Sequence, residues 1–369
     1  GDDDDDDDTP PVGSGDDDDD DEDEDDDDDT DGDDTDGDED DGDEDDGEDE
    51  DDDDDDDQAG NEDGGNEPLP VAARMLIGTA AADVLTGAAA ADTLLGGGGS
   101  DILVGEDGND ILRGEDGNDV VSGGSGNDTI SGGAGEDELH GGAGDDMLFG
   151  NADADMLHGG LGDDFIEAGG GEDQAWGGED DDLFISTAND GNDRYWGDAG
   201  SDTLDYSVAT GDLTVDLGNG FMGRGQVSGG NTGTDVVYGF ENFVGGSGHD
   251  VITATTAVNI MDGGAGNDTF RFTSAAAADG DTIFGFRPGD KIDFSAIDGN
   301  TALSGLQSFT LSAGSTLTAA GQVVVSVEMR DGEEVTVIHG NVDANMDADF
   351  ELTLIGRHTL TASDFTGVS

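Results

Sequence analysis

The chain has 369 residues, a formal net charge of −89 at pH 7, 67 glycines and no cysteine. Such acidity excludes nucleic acid and anionic membranes as electrostatic partners and favours cations. The glycine content predicts very little helix, no disulfide supports the fold, and no apolar run is long enough for membrane insertion.

The N-terminal region, residues 1–70, is a low-complexity acidic tract. Residues 1–57 hold 43 of the 98 acidic residues, and no basic residue precedes Arg74. A segment with so much charge and so little apolar surface forms no core, so we predict a disordered, extended spacer. An acidic start is unlike a signal peptide. Because the chain begins with Gly1 rather than Met, we expect a fragment or a processed form of a longer protein.

Residues 78–185 are twelve consecutive nine-residue repeats. The first residue is Gly in eleven of them, the sixth is Asp in all twelve, and the eighth is always apolar. Glycines at positions 2 and 4 allow positive φ. Positions 7–9 are predicted to form a three-residue strand whose central side chain points inward. Each repeat is therefore a Gly/Asp turn followed by a short strand with one core residue.

Two such repeats are expected to make one coil of a right-handed parallel β-roll. Loops n and n+2 then stack about 4.7–4.9 Å apart. Two Asp carboxylates at about 5 Å repel by roughly 0.8 kcal/mol in a water-like dielectric, and by more where they are partly buried. A hard dication between the loops removes this repulsion. Calcium fits because it accepts six to eight oxygen ligands in flexible geometry, whereas magnesium demands a near-ideal octahedron.

The pattern Gly-Gly-x-Gly-x-Asp-x-apolar-x resembles the RTX, or hemolysin-type, calcium-binding nonapeptide family. The resemblance implies that each calcium ion lies between loops n and n+2. The first loop supplies the carbonyls of positions 2 and 4 and its Asp, and the second supplies the carbonyls of positions 1 and 3 and its Asp. On this basis three sites would be formed by Gly97, Gly99, Asp101, Gly114, Asp116 and Asp119; by Glu106, Gly108, Asp110, Gly123, Ser125 and Asp128; and by Gly124, Gly126, Asp128, Gly141, Ala143 and Asp146.

The same reasoning extends the set of candidate ligands along the repeats. The further residues are Asp137, Asp155, Asp164, Asp173, Asp182, Asp193, Asp202, Asp250, Asp268, Gly117, Gly132, Gly133, Gly135, Gly142, Gly144 and Gly159.

The repeats are not equally good matches. Repeats 78–86 and 87–95 have Ala or Thr where glycine is expected, so we expect them to cap the roll and bind no metal. Repeat 150–158 carries Asn151 and Asp153 at these positions, and repeat 177–185 carries Asp180. These two loops are expected to provide weaker ligand sets.

The phase of the repeats breaks at Ser186 and Thr187 and resumes at residue 188. Alternating apolar residues predict a hairpin within residues 206–229, and the repeats are predicted to stop at Phe270. We therefore divide the chain into the spacer (1–70), the RTX roll (71–205), a hairpin insertion with one repeat-like turn (206–244), a second short repeat block (245–275) and a C-terminal β cap (276–369).

The C-terminal region resembles that of the serralysin-type metalloproteases, most closely at 286–297 and 340–365. Strands are predicted at 322–327, 334–338 and 350–355. The resemblance implies a domain that caps the roll and carries an uncleaved signal for the type I secretion apparatus. The usual ending, an acidic residue followed by apolar ones, is imperfect here because Thr-Gly-Val-Ser follows Asp364-Phe365.

No catalytic motif is present in the sequence. Its five histidines contain no pair four residues apart, as a His-Glu-x-x-His zinc helix would need, and there is no Gly-x-Ser-x-Gly elbow. We therefore predict no enzyme activity within these residues. His140 and His158, both at position 9, are expected to stack outward on adjacent strands. They form either a plain exposed ladder or, less simply, a transition-metal site.

Taken together, these features predict a secreted, extracellular calcium-binding protein whose roll folds on Ca²⁺ after type I export. It would act as a structural or surface-interaction module. The alternative is the C-terminal secretion and stabilisation module of a larger enzyme or toxin, most simply a serralysin-like metalloprotease. An extracellular calcium buffer is a third hypothesis for the function.

Overall fold

The structure, a computed structural model, describes residues 72–218 and 223–369; the predicted acidic spacer lies outside these residues. The described part is all-β, as the sequence predicts, with two short 3₁₀-helical turns at Ala275–Ala277 and Ala362–Asp364. None of its helices is long and apolar enough to span a membrane.

Each of the twelve nonapeptide repeats forms one strand, and one more strand precedes the first repeat. The strands are β1 (Met75–Ile77), β2 (Val84–Thr86), β3 (Thr93–Gly98), β4 (Ile102–Asp107), β5 (Ile111–Asp116), β6 (Val120–Ser125), β7 (Thr129–Ala134), β8 (Glu138–Ala143), β9 (Met147–Ala152), β10 (Met156–Leu161), β11 (Phe165–Gly170), β12 (Gln174–Glu179) and β13 (Leu183–Ile185). Strands β3 to β12 have six residues rather than the predicted three. They continue through the glycines because stacked loops pair their backbones with one another.

Each strand pairs in parallel with the strand two repeats away. Thr93 lies opposite Ile111 and Ile111 opposite Thr129, so the register advances by two repeats at every step. Odd-numbered strands form one sheet and even-numbered strands the other. The result is a parallel β-solenoid of about 12 turns with two repeats per turn. The expected stacking of loops n and n+2 is confirmed.

The core lies between the two sheets. It is a double column of the eighth residues of the repeats, from Leu94 to Leu157, all with zero exposure. Full burial of one such aliphatic side chain contributes about 1.5–3 kcal/mol. Because every repeat supplies just one of these residues, no repeat can form a core alone, and stability depends on neighbouring turns.

The next segment contributes strands to the same two sheets. The strands are β14 (Arg194–Ala199), β15 (Thr203–Asp205), β16 (Leu213–Asp216), β17 (Arg224–Gly229), β18 (Thr234–Tyr238), β19 (Asn242–Val244), β20 (Val251–Thr253), β21 (Ile260–Asp262) and β22 (Thr269–Arg271). Strands β16 and β17 pair antiparallel, as do β17 and β18, and this meander lies between β14 and β20 within the even-numbered sheet.

The stacking of strands continues beyond Phe270, where the sequence repeats are predicted to stop. The remaining strands are β23 (Thr282–Phe284), β24 (Lys291–Asp293), β25 (Thr310–Leu311), β26 (Gln322–Arg330), β27 (Glu333–Asn341), β28 (Phe350–Ile355) and β29 (Phe365–Thr366). Strand β23 pairs in parallel with β21 and with β28, while β24 pairs in parallel with β22 and β29. The solenoid continues because longer loops join these turns while their core residues, Ile283 and Ile292, stay in register.

The far end of the solenoid is closed by a different packing. Strands β26, β27 and β28 form an antiparallel sheet that continues one of the roll's sheets, and the first two are longer than the sequence predicts. Beneath it, Phe294 packs against Phe309, Phe350 and Phe365 with ring centroids 5.1–6.0 Å apart. These aromatic side chains seal the core that the repeat column leaves open at this end.

Candidate metal centre

The Asp residues at position 6 form a buried ladder along each edge of the roll. One carboxylate oxygen, Oδ1, accepts a hydrogen bond from the backbone N–H of the Asp two repeats earlier. Asp119 accepts from Asp101 at 2.7 Å, and Asp128 accepts from Asp110 at 2.7 Å. The same bond recurs up to Asp202, which accepts from Asp182 at 2.9 Å. Each Asp therefore joins its own loop to the loop stacked on it.

The second oxygen, Oδ2, is in a different situation. It is buried and accepts no hydrogen bond from any described residue in a continuous series of ten repeats and in two later turns. The residues are Asp101, Asp110, Asp119, Asp128, Asp137, Asp146, Asp155, Asp164, Asp173, Asp182, Asp202 and Asp281. Burial of a charged oxygen without a partner is costly, so each of these atoms requires a cation or a proton.

The cost of burying these carboxylates appears in the raised pKa values of the Asp residues. Burial, with a smaller contribution from neighbouring carboxylates, raises the pKa of Asp155 and of Asp182 to about 8. The same cause raises the pKa of Asp146 to about 7 and that of Asp128 to about 6. Without a counter-ion the folded ladder therefore favours protonated carboxyl groups.

Glycines at position 1 leave the space in which Oδ2 lies. A Cβ atom at Gly114 would be 2.2 Å from Oδ2 of Asp119 and 2.7 Å from the carbonyl oxygen of Gly132. Gly123, Gly132, Gly141 and Gly159 are equally close to the Asp of their own repeat. The carboxylate oxygen and a backbone carbonyl therefore converge where no side chain fits.

Glycines at positions 2 and 4 shape the loop through positive φ. The predicted ligand glycines with this conformation are Gly97, Gly99, Gly108, Gly117, Gly124, Gly126, Gly133, Gly135, Gly142 and Gly144. Glu106, Asn151, Asp153 and Asp180 adopt it as well, with φ of 75–80°. The loops with imperfect sequences therefore keep the backbone of the others, at the expense of strain that glycine avoids.

Carbonyls at position 3 are partly engaged within the protein. Ser125 O accepts from Gly108 N–H at 2.7 Å, and Ala143 O accepts from Gly126 N–H at 2.7 Å. A carbonyl oxygen has two lone pairs, so one remains on each of these atoms. The structure thus brings the predicted partners together, loop n against loop n+2, with the carbonyls only partly occupied.

Several Asp residues of the ladder differ, because a protein donor takes their second oxygen. Thr79 N–H donates to Asp83 at 2.6 Å and Ala88 N–H to Asp92 at 2.7 Å, in the two repeats expected to bind no metal. Gly246 N–H donates to Asp250 at 3.3 Å, and the Tyr195 hydroxyl donates to Asp193 at 2.9 Å. Asp268 is buried and continues the Oδ1 ladder by accepting from Asp250 N–H.

Four further buried Asp residues lie in or beside the ladder and are absent from the predicted ligands, although the sequence does place Asp235 in a repeat-like turn. Asp190 and Asp235 are buried beside Asp193, while Asp281 and Asp290 accept from Asn259 N–H and Asp268 N–H. A local signal for the last two was present: each precedes an isoleucine by two residues, as the Asp of each repeat precedes its apolar residue. Each lies 22 residues after the residue whose N–H it accepts, instead of 18, so a search for the nine-residue period does not detect it.

The donor set suits calcium rather than a softer metal. Within the described residues no three His, Cys, Asp or Glu side chains group as metal ligands. Carboxylates meet in the ladder in stacked pairs, so any complete site must draw on backbone carbonyls. Oxygen-only ligation of this kind is typical of calcium. The buried, unpartnered Oδ2 atoms and the glycine-lined space beside them therefore fit this ion.

His140 and His158 stack on adjacent strands, as expected, with ring centroids 4.9 Å apart. The stack continues through Trp176, Trp196 and Tyr238 at spacings of 4.5–5.5 Å. These five half-buried rings form an aromatic row on the outer face of the even-numbered sheet. Since the two imidazoles belong to a longer row, their stacking needs no metal to explain it.

Comparisons with known proteins agree with this geometry. The family model of the RTX calcium-binding nonapeptide repeat matches four copies, at residues 77–112, 95–130, 113–148 and 149–184. The model of the peptidase M10 serralysin C-terminal domain matches residues 186–366. Neither matched model is a catalytic domain. Calcium is the ion that RTX nonapeptide repeats bind.

A comparison with curated proteins finds no match. Among solved structures, the AlgE6R3 subunit of the mannuronan C5-epimerase from Azotobacter vinelandii is similar at 21% identity, over 51% of this chain and 79% of that one, with a TM-score of 0.27. From residue 77 to residue 366, the chain matches the models of calcium-binding RTX repeats and, after them, of the serralysin C-terminal domain.

Proposed function

We propose that this chain is a secreted module whose roll folds when it binds extracellular calcium. The observation that carries the proposal is the unbroken series of ten repeats, Asp101 to Asp182, with a buried carboxylate oxygen that accepts no hydrogen bond from the described residues. Charged oxygens in this state oppose folding. Without a cation, the unfolded state of the roll is therefore favoured.

The ligands we propose are the carboxylates of this series and of Asp202, with the carbonyls at positions 1 to 4 of the stacked loops. The carbonyl donors include Gly97, Gly99, Gly108, Gly114, Gly124 and Gly126. Asp193 and Asp250 are left out, because protein donors already bond both of their oxygens. Bound calcium supplies positive charge between stacked carboxylates, and its binding energy becomes folding energy.

Coupling of folding to calcium binding would serve export of the chain. An unfolded chain can pass a type I channel, and the low calcium concentration of the cytosol keeps the carboxylates repelling one another. Extracellular calcium modules bind the ion with dissociation constants of about 10⁻⁴–10⁻³ M. Calcium outside the cell, at a concentration on the order of millimolar, would therefore occupy such sites and complete the fold. The serralysin-type C-terminal domain supports this reading, because the family is typically secreted.

The test is far-UV circular dichroism of the whole chain during a calcium titration, with magnesium and EDTA as controls. We expect a cooperative transition from coil to β structure near millimolar calcium, no transition with magnesium, and reversal by EDTA. A roll that is fully formed in EDTA would show that its apolar column suffices, and the proposal would be wrong.

A second candidate function is favoured by the match over residues 186–366: the C-terminal secretion and stabilisation module of a larger RTX enzyme or toxin, most simply a serralysin-like metalloprotease. The full-length gene product separates the two candidates. A His-Glu-x-x-His segment upstream of Gly1, together with zinc-dependent peptide hydrolysis, would support the enzyme. Further repeats or adhesive domains would support a structural role.

A further inference from the structure

Two tyrosine hydroxyls are bonded to the Asp ladder in the turn that follows the phase break. The Tyr195 hydroxyl donates to Oδ2 of Asp193 at 2.9 Å, and the Tyr206 hydroxyl donates to Oδ2 of Asp235 at 2.6 Å. Both tyrosines and both carboxylates are buried, with at most 2% exposure. The oxygens that lack a hydrogen bond in the preceding repeats thus have a protein donor here.

The remaining oxygens of these two carboxylates keep the ladder intact. Asp193 Oδ1 accepts from Asp173 N–H at 2.8 Å, and Asp235 Oδ1 accepts from Asp193 N–H at 3.0 Å. Each carboxylate therefore has a hydrogen bond on both oxygens. Hydrogen bonds to an ionised group are among the stronger ones in proteins, and they compensate for part of its burial.

The two-residue insertion that breaks the phase contributes to the same cluster. Oδ2 of Asp190 accepts from the Ser186 hydroxyl at 2.5 Å and from Thr187 N–H at 2.8 Å. The insertion thus brings two donors that the nine-residue repeat does not contain. The other oxygen of Asp190 accepts no hydrogen bond from the described residues. Asp190 is therefore the least satisfied of the three carboxylates.

We propose that Asp193, Tyr195, Tyr206 and Asp235 form a calcium-independent clasp, in which each tyrosine hydroxyl bonds the carboxylate oxygen that lacks a protein donor in the repeats. Large aromatic side chains add to its stability, because Phe184, Phe240 and Phe243 pack against the rings of the two tyrosines or against one another. The turns around the clasp stay folded when calcium is removed, whereas the repeats from Asp101 to Asp182 do not.

Hydrogen–deuterium exchange of the whole chain, in calcium and in EDTA, tests this division. In EDTA we expect the backbone amides of residues 193–199 and 234–238 to stay protected while those of residues 96–182 exchange freely. Exchange throughout in EDTA would overturn the clasp and leave calcium-dependent folding intact. Protection throughout in EDTA would overturn calcium-dependent folding, and with it the distinction between the two segments.

The three tyrosines of the chain provide a matched set of variants. Tyr195→Phe and Tyr206→Phe each remove one hydroxyl and leave the buried ring. In EDTA each should speed exchange of the clasp amides by on the order of tenfold to a hundredfold, since a hydrogen bond to a charged group contributes about that factor. Calcium should restore part of the protection, because each variant leaves a carboxylate oxygen without its protein donor.

Tyr238→Phe is the control, because it removes the hydroxyl of the ring that ends the aromatic row on the outer face. Its exchange in EDTA should match that of the unmodified chain. If Tyr195→Phe and Tyr206→Phe also match it, the hydroxyls do not hold the clasp and the proposal fails. The exchange pattern of the unmodified chain decides the question even where a variant does not fold.

Discussion

At the scale of single residues, the two oxygens of each repeat Asp from Asp101 to Asp182 have different roles. Oδ1 bonds the backbone of the stacked loop and needs no metal, while Oδ2 is buried beside glycine and accepts no hydrogen bond from the described residues. An amide side chain preserves the first role and removes the second, since its oxygen still accepts a hydrogen bond while its nitrogen carries no negative charge. The two roles can therefore be separated by a single substitution.

Asp128→Asn is expected to weaken calcium binding at its loops by about tenfold, because ligand charge tunes the affinity of such sites. In EDTA the same change should not destabilise the roll, since burial already raises the pKa of Asp128 to about 6. Calcium titrations followed by circular dichroism measure both effects. Asp163→Asn is the control: Asp163 is exposed, and its Oδ1 accepts from Asp181 N–H at 3.0 Å. Equal shifts in both variants would show that only general charge matters.

At the scale of elements, the loops depend on glycine where a carboxylate lies against the backbone. Gly114→Ala places a methyl group 2.2 Å from Oδ2 of Asp119, so the loop must open or the carboxylate must move. We expect a loss of about 1–3 kcal/mol in the free energy of unfolding in calcium, the usual range for overpacking. Urea unfolding measures this loss.

Gly98→Ala is the matched control for this substitution. A methyl group there would meet its nearest atom, Ala80 Cα, at 3.6 Å, an ordinary contact, and Gly98 is not among the positive-φ glycines. Little change in unfolding is expected. A loss equal to that of Gly114→Ala would mean that chain stiffness, rather than the space beside the carboxylate, explains the need for glycine.

The aromatic row makes the roll observable by its own tryptophans. The chain has two, Trp176 and Trp196, and their rings stack 4.6 Å apart with planes 4° from parallel. Trp176 lies on β12, between the loops of Asp173 and Asp182, whose Oδ2 atoms accept no hydrogen bond from the described residues. We expect the circular dichroism signal of coupled indoles to appear with calcium and vanish in EDTA or in Trp176→Leu. A signal that persists in EDTA would show that this turn does not depend on calcium.

At the scale of the whole molecule, the buried carboxylates link the fold to pH. Their folded-state pKa values are raised above the ordinary value of 3.8, to about 6 for Asp137, about 7 for Asp173 and about 8 for Asp182. The metal-free fold therefore binds protons that the unfolded chain releases. Its stability is greatest at low pH and is lost as the pH rises through roughly 6 to 8. In calcium the sign reverses, because protons compete with the cation for the same oxygens.

We therefore expect the Tm in EDTA to rise as the pH is lowered from about 8 to about 5. Over the same range the calcium concentration at the folding midpoint should increase. Thermal unfolding and calcium titrations at several pH values provide the check. A Tm in EDTA that falls with acid would contradict the raised pKa values.

Much of the architecture follows from local sequence. A period of nine places one apolar side chain inward in each repeat and repeats the same Gly/Asp turn, so the core column, the stacking and the Asp ladder could be predicted from spacing alone. The expected choice of calcium follows from the same repeat, because carboxylates and glycine carbonyls are hard oxygen donors. These properties are set within a few residues and then copied along the chain.

Only the tertiary structure decided which members of the ladder need a cation. Tyr206 lies 29 residues from the Asp235 that it bonds, and the turns of Asp281 and Asp290 are reached by insertions that break the period. Whether a carboxylate oxygen is satisfied depends on donors brought by distant segments and on burial between stacked turns. A repeat sequence specifies the loop. The long-range contacts around that loop determine whether a metal ion or a hydroxyl group stabilises the charge of its Asp carboxylate.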